Sequence, residues 1–169
     1  LARRLVEAGV DLVTAQFGGA LCGGVGNWDD HAVNANCFEA IKYRLTFFDQ
    51  AVAALIEDIY DRGLERRVMV VVTGEFGRTP RINENAGRDH HAKVFSCFLA
   101  GGGVKGGQVI GASDKDGVEP AERPVKPYDI HATVCHTLGI NGSKEIMTPL
   151  ERPMRLIREG GEPVKELFA

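Results

Sequence analysis

Between Phe38 and Arg62 the apolar residues Phe38, Ile41, Leu45, Phe48, Val52, Leu55 and Ile59 fall at alternating steps of three and four. That spacing predicts one long helix with a single buried face, stopped at Gly63. A continuous apolar run, Val68 to Thr73, follows almost at once. It is mostly β-branched, as expected of a strand covered on both sides. A helix leading directly into such a strand requires layers on both faces of a sheet.

The rest of the chain repeats the alternation. Leu1 to Gly9 reads as a helix in progress, Val10 to Phe17 as a buried strand and Val94 to Ala100 as a further short strand. Gln108 to Ala112 reads as a small strand or hairpin arm, Ser113 to Lys126 as loop, and Pro127 to Leu138 as a helix with Asp129 in its first turn and Gly139 as its stop. The residues from Ile140 onward, interrupted by prolines, read as a surface wrap. The expected fold class is therefore α/β, a doubly wound and mostly parallel sheet flanked by helices. At 169 residues and 44% apolar content it forms one domain. With no initiator Met and no signal peptide, the chain reads as a piece of a longer protein.

Two polar clusters stand out in the predicted loops. Asn27-Trp28-Asp29-Asp30-His31 follows the first strand, and Gly87-Arg88-Asp89-His90-His91 lies after the second. Carboxylate beside imidazole is the donor set of a divalent metal. Ligand sites of open α/β sheets lie outside the carboxyl ends of strands, where both loops fall. In an extended segment, residues two apart point the same way. Asp29 and His31 would then share one ion; the plainer reading is an Asx turn capping the next helix. The same rule pairs Asp89 with His91 and leaves His90 opposite. Glu75, Arg78 and Arg81 follow the strand ending at Thr73. The planar forks of Arg78 and Arg88 suit phosphate or sulfate oxygens; the plainer reading is surface ion pairing. His131 and His136, five apart in a predicted helix, do not share a face.

Several classes are disfavoured. The net charge of −3 gives no general attraction to nucleic acid or anionic lipid. No apolar run reaches the roughly 18 residues of a membrane span. The four cysteines form no Cys-x-x-Cys pair. Gly101 to Gly106 matches a dinucleotide fingerprint by letter, but no helix is predicted after it, so it reads as a glycine turn. Asp114-Lys115-Asp116-Gly117 lacks calcium-loop spacing and also reads as a turn.

Six ordered motifs carry a resemblance over nearly the whole chain: Ala2-Arg3-Arg4-Leu5-Val6-Glu7-Ala8-Gly9-Val10; Trp28-Asp29-Asp30-His31; Gly74-Glu75-Phe76-Gly77-Arg78-Thr79-Pro80; Gly87-Arg88-Asp89-His90; Ala100-Gly101-Gly102-Gly103-Val104-Lys105-Gly106-Gly107; and Asp129-Ile130-His131-Ala132-Thr133 running to Leu138-Gly139-Ile140. Together they closely resemble the DUF1501 family, sulfatase-like proteins of the alkaline phosphatase superfamily. The resemblance implies that residues 1–169 are the C-terminal portion of a longer alkaline phosphatase-like domain, exported to the periplasm or cell surface. It implies hydrolysis of a small phosphate or sulfate ester, or of a sulfated glycan, with a divalent ion such as zinc, calcium, magnesium or manganese. Asp29, His31 and His90 resemble the ligands of one metal site, with His90 favoured over His91. Where relatives carry Asp-His-Gly for a second metal, this chain has Glu75-Phe76-Gly77; Glu75 can ligate, Phe76 cannot, and Asp89 or His91 would have to substitute. Arg78 and Arg88 would hold the anion. The nucleophile is expected upstream of Leu1, which would leave these residues inactive by themselves. The alternative is a non-catalytic exported module that binds an anion or glycan, or is structural, on a degenerate metal site.

Overall fold

The computed structural model describes residues 1–18, 28–29 and 36–168. Its spine is helix α2 (Cys37–Asp61), which follows a short helix α1 (Ala2–Glu7). Asn36 caps α2 by accepting the Phe38 amide on its side-chain oxygen at 2.9 Å. The other end closes as the sequence predicts. Gly63, at φ 65°, donates to Tyr60, and Leu64 donates back to Ile59. That Schellman pair needs a left-handed residue at its turn. Gly139 ends α3 (Pro127–Thr137) in the same way.

The predicted β-branched run forms strand β1 (Met69–Thr73). The short strands β2 (Gly77–Arg78) and β3 (His90–His91) precede β4 (Cys97–Gly101). β1 pairs antiparallel with β4, Val71 opposite Leu99, and α2 packs against β4. The other described pairings are antiparallel too: β2 with β3, β5 (Ala112–Ser113) with β6 (Pro120–Glu122), and β7 (Glu145–Met147) with β8 (Pro153–Arg155).

Some local expectations are revised. Residues 10–17 form no strand and are mostly exposed; a strand exists only through a partner, and none stands beside them among the described residues. Val94 to Ser96 do not join β4, which runs one residue further than predicted, to Gly101. The predicted loop from Ser113 contains β6. Its turn is made by Asp114, whose carboxylate accepts the Val118 amide at 2.8 Å. The glycines after β4 form a turn with positive φ at Gly101, Gly102 and Gly103, and no helix follows.

Among the described residues the buried apolar ones are Cys37, Ile59, Ala132, Cys135 and Val164, joined by the polar Arg44 and Thr133. The chain exposes 12059 Å². A folded monomer of 18.3 kDa is expected to expose about 8,100 Å². Part of the surplus is apolar: Phe47 on α2 and Phe98 on β4 are each about half exposed.

The final segment docks along α3. Thr133 Oγ1 accepts the Val164 amide at 2.9 Å, an Asp129 carboxylate oxygen accepts the Glu162 amide at 3.2 Å, and Phe168 meets the His136 ring at 5.7 Å. Beyond them Arg123 donates to both carboxylate oxygens of Glu166, in the 3-10 turn Lys165–Phe168. These bonds hold the Glu166 carboxyl at about 2, well below its ordinary 4.5. A carboxyl depressed in the folded state stabilises fully above its unfolded value and loses that contribution as pH falls through its folded one. Segment docking should therefore weaken between pH 4.5 and about 2. Exposure keeps the effect small. Amide signals of Val164 and Leu167 followed by NMR should shift across that window and lose the dependence in Glu166→Gln. The same dependence in the variant would place the acid sensitivity elsewhere.

Candidate metal centre

The second polar cluster is not an irregular loop but one arm of a hairpin. β2 and β3 pair with Arg78 opposite His90 and Gly77 opposite His91. The connection is closed by Thr79, whose amide donates to the Asp89 carbonyl at 2.9 Å and whose Oγ1 accepts the Asp89 amide at 3.1 Å. Asn83 takes the Asn85 and Gly87 amides on its side-chain oxygen. The tip then meets α2: the Cys37 amide, one of the unpaired donors of that helix end, bonds the Ala86 carbonyl at 3.1 Å. Arg88 lies 5.8 Å from the Phe38 ring and donates to the Thr79 carbonyl at 3.0 Å.

Trp28-Asp29 is placed by the same helix, about three turns further on. The Trp28 ring meets Phe48 edge-on at 5.7 Å, and Phe17 meets Phe48 at 5.3 Å. Trp28 Nε1 donates to the Phe17 carbonyl at 2.6 Å. The buried Arg44 guanidinium stands 6.0 Å from the Trp28 ring.

Between these two anchorages the clusters converge. His90 Nε2 lies 2.6 Å from Asp29 Oδ1. From the opposite strand, Arg78 Nη2 donates to the same oxygen at 2.9 Å and to the Trp28 carbonyl at 2.8 Å, while Nη1 reaches the Arg88 carbonyl at 3.3 Å. Arg78 is thus a tie between distant segments, its side chain 24% exposed against about half for Asp29 and His90. Partial burial makes such charge-assisted bonds count for more than an exposed pair.

The other candidates take different places. Successive strand residues point to opposite sides, so His91 turns away from His90 and its Nε2 meets the Val118 carbonyl at 2.8 Å. Glu75 and Asp89 are exposed. His31 lies outside the described residues. Phe76, the residue that cannot ligate, packs against His90 with ring centroids 4.2 Å apart and the ring planes inclined by 43°. Sequence reasoning did not foresee that contact or the role of Arg44. The latter left a signal, an arginine falling on the apolar face of the predicted helix.

Among the described residues, no three His, Cys, Asp or Glu side chains are grouped to hold a metal. The pair that does meet has the right chemistry, one carboxylate oxygen and one imidazole nitrogen. On a shared ion with bonds of about 2.0–2.1 Å the two donors would stand roughly 2.9–3.3 Å apart. From 2.6 Å that is a separation of a few tenths of an ångström, within reach of a side-chain adjustment. The pair offers two donors of the kinds a divalent ion takes, at a spacing close to that on a shared ion.

The sequence model of a family described as a protein of unknown function (DUF1501) matches residues 1–168. No curated protein and no solved structure matches the chain.

Proposed function

From the premise that the chain belongs to the DUF1501 family, we propose that it supplies part of the metal centre of a hydrolase acting on phosphate or sulfate esters. One observation carries the reading: Asp29 and His90, 61 positions apart, meet at 2.6 Å. The superfamily is that of alkaline phosphatases and sulfatases, and the whole domain is doubly wound with a mostly parallel sheet. The antiparallel β1–β4 pair is compatible with such a sheet, since mixed sheets are common. Export is the expected setting.

A bound zinc, calcium, magnesium or manganese ion would polarise the ester oxygens and favour deprotonation of the nucleophile. Asp29 and His90 would hold it, with His31 as the third protein ligand. Arg78 keeps the Asp29 carboxylate in place, and with Arg88 it gives the hairpin a positive charge toward an anionic ester. The nucleophile would come from outside residues 1–169.

With each of the four metals added in turn to the intact protein, aryl phosphate or aryl sulfate should be turned over with at least one of them, and a chelator should abolish the turnover. Metal binding without turnover of either ester would instead support a non-catalytic module that binds an anionic glycan. Neither binding nor turnover would remove the metal reading.

A further inference from the structure

Phe76 meets two partners of the Asp29 carboxylate, His90 and Arg78. Its ring lies against the His90 imidazole at 4.2 Å, tilted by 43°, and the Arg78 guanidinium stands 6.0 Å from the same ring. Phe76 directly precedes β2, and Gly77 holds that strand flush against the Val94 carbonyl. The ring is half-buried, whereas the imidazole it supports is 47% exposed. A histidine side chain turns about two torsions. The Asp29 bond holds the Nε2 end of the ring, and because Nε2 lies off the Cβ–Cγ axis, rotation about that bond would swing it away from Asp29. A flat aromatic face on one side of the imidazole restrains that rotation.

We propose that Phe76 is a positioning residue of the metal centre, fixing the plane of His90 so that Nε2 stays directed at Asp29 Oδ1. The inference rests on the metal-centre reading and adds a role that resemblance does not supply, since Phe76 occupies a position where a ligand was expected. Its ring brings no donor atom. It acts on affinity by reducing the freedom that His90 would lose on ligation, as outer-sphere partners of metal ligands do.

Two measurements separate this proposal from the reading beneath it. In the metal-free intact protein, the ring protons of His90, assigned by their loss in His90→Asn, should carry the ring-current shift of an adjacent aromatic ring. That shift should vanish in Phe76→Leu and persist in Phe76→Tyr. By calorimetric titration with zinc, calcium, magnesium and manganese in turn, Phe76→Leu should bind the ion the parent takes about 10-fold more weakly, and Phe76→Tyr should restore the affinity. Thermal unfolding of both variants checks that the fold survives. Equal affinity of parent and Phe76→Leu, with the shift lost, overturns the positioning role alone. A parent that binds none of the four metals while keeping the ring-current shift overturns the metal reading and this inference with it.

Discussion

Gly77→Ala is expected to destabilise the protein by about 3 kcal/mol or more, near the upper end for a single methyl group. A Cβ built at Gly77 would stand 2.0 Å from the Val94 carbonyl oxygen and 3.2 Å from that of His91. Both obstacles are backbone, so no side chain can turn aside to make room. The clash is relieved only by moving β2 away from β3 or from Val94. The first movement breaks the register that sets Arg78 opposite His90. The variant should therefore lose metal affinity along with stability. Gly106→Ala is the control: its Cβ would meet nothing within 4 Å, and the change should stay within about 0.5 kcal/mol. Chemical denaturation of the three proteins measures this, and a Gly77→Ala midpoint equal to the parent's would refute the close approach.

Asp29→Ala and His90→Ala are each expected to weaken metal binding by more than the roughly 10- to 100-fold typical of losing an outer-sphere partner. Coupling is the sharper expectation. If both residues ligate one ion, removing either leaves a site already crippled, and the double variant should bind scarcely worse than the weaker single one. Independent sites would give losses that multiply. Calorimetry on the four proteins of this cycle decides between them. Arg78→Lys bears on the same geometry. An ammonium cannot reach the Trp28 carbonyl, Asp29 and the Arg88 carbonyl as the guanidinium fork does, so Asp29 should lose part of its placement with the local charge unchanged.

What could be read in the sequence divides along a physical line. The span of α2 was legible because its apolar period is written into every turn, and its end because Gly63 favours the left-handed turn required there. β1 was legible from its β-branched run. Residues 10–17, interrupted by Asp11 and Gln16, have no neighbour to pair with among the described residues, and pairing is a property of two segments. The two-residue strands β2 and β3 are too short for any periodicity. Asp29 and His90 were nominated from donor chemistry and family resemblance, whereas strand alternation pointed to His91. The hairpin explains why alternation misled. It does apply within β3, but the neighbour that selects His90 is Asp29, which comes from outside the hairpin. The tie through Arg78 was beyond reach, because two of its acceptors, the Trp28 and Arg88 carbonyls, are groups that every residue possesses.

Helix α2 anchors both halves of the centre, the hairpin tip at Cys37 and Phe38 and Trp28 at Arg44 and Phe48. Those anchorages lie about 13 Å apart along a helix, a spacing fixed by hydrogen-bonded turns and independent of the connecting segments. Insertions and deletions in the connections can accumulate without moving the donors relative to each other, whereas one residue gained or lost inside α2 between Phe38 and Arg44 would turn Trp28 by about 100° around the helix axis from its present bearing. Natural length variation should therefore concentrate in the loops and be absent from the first three turns of α2.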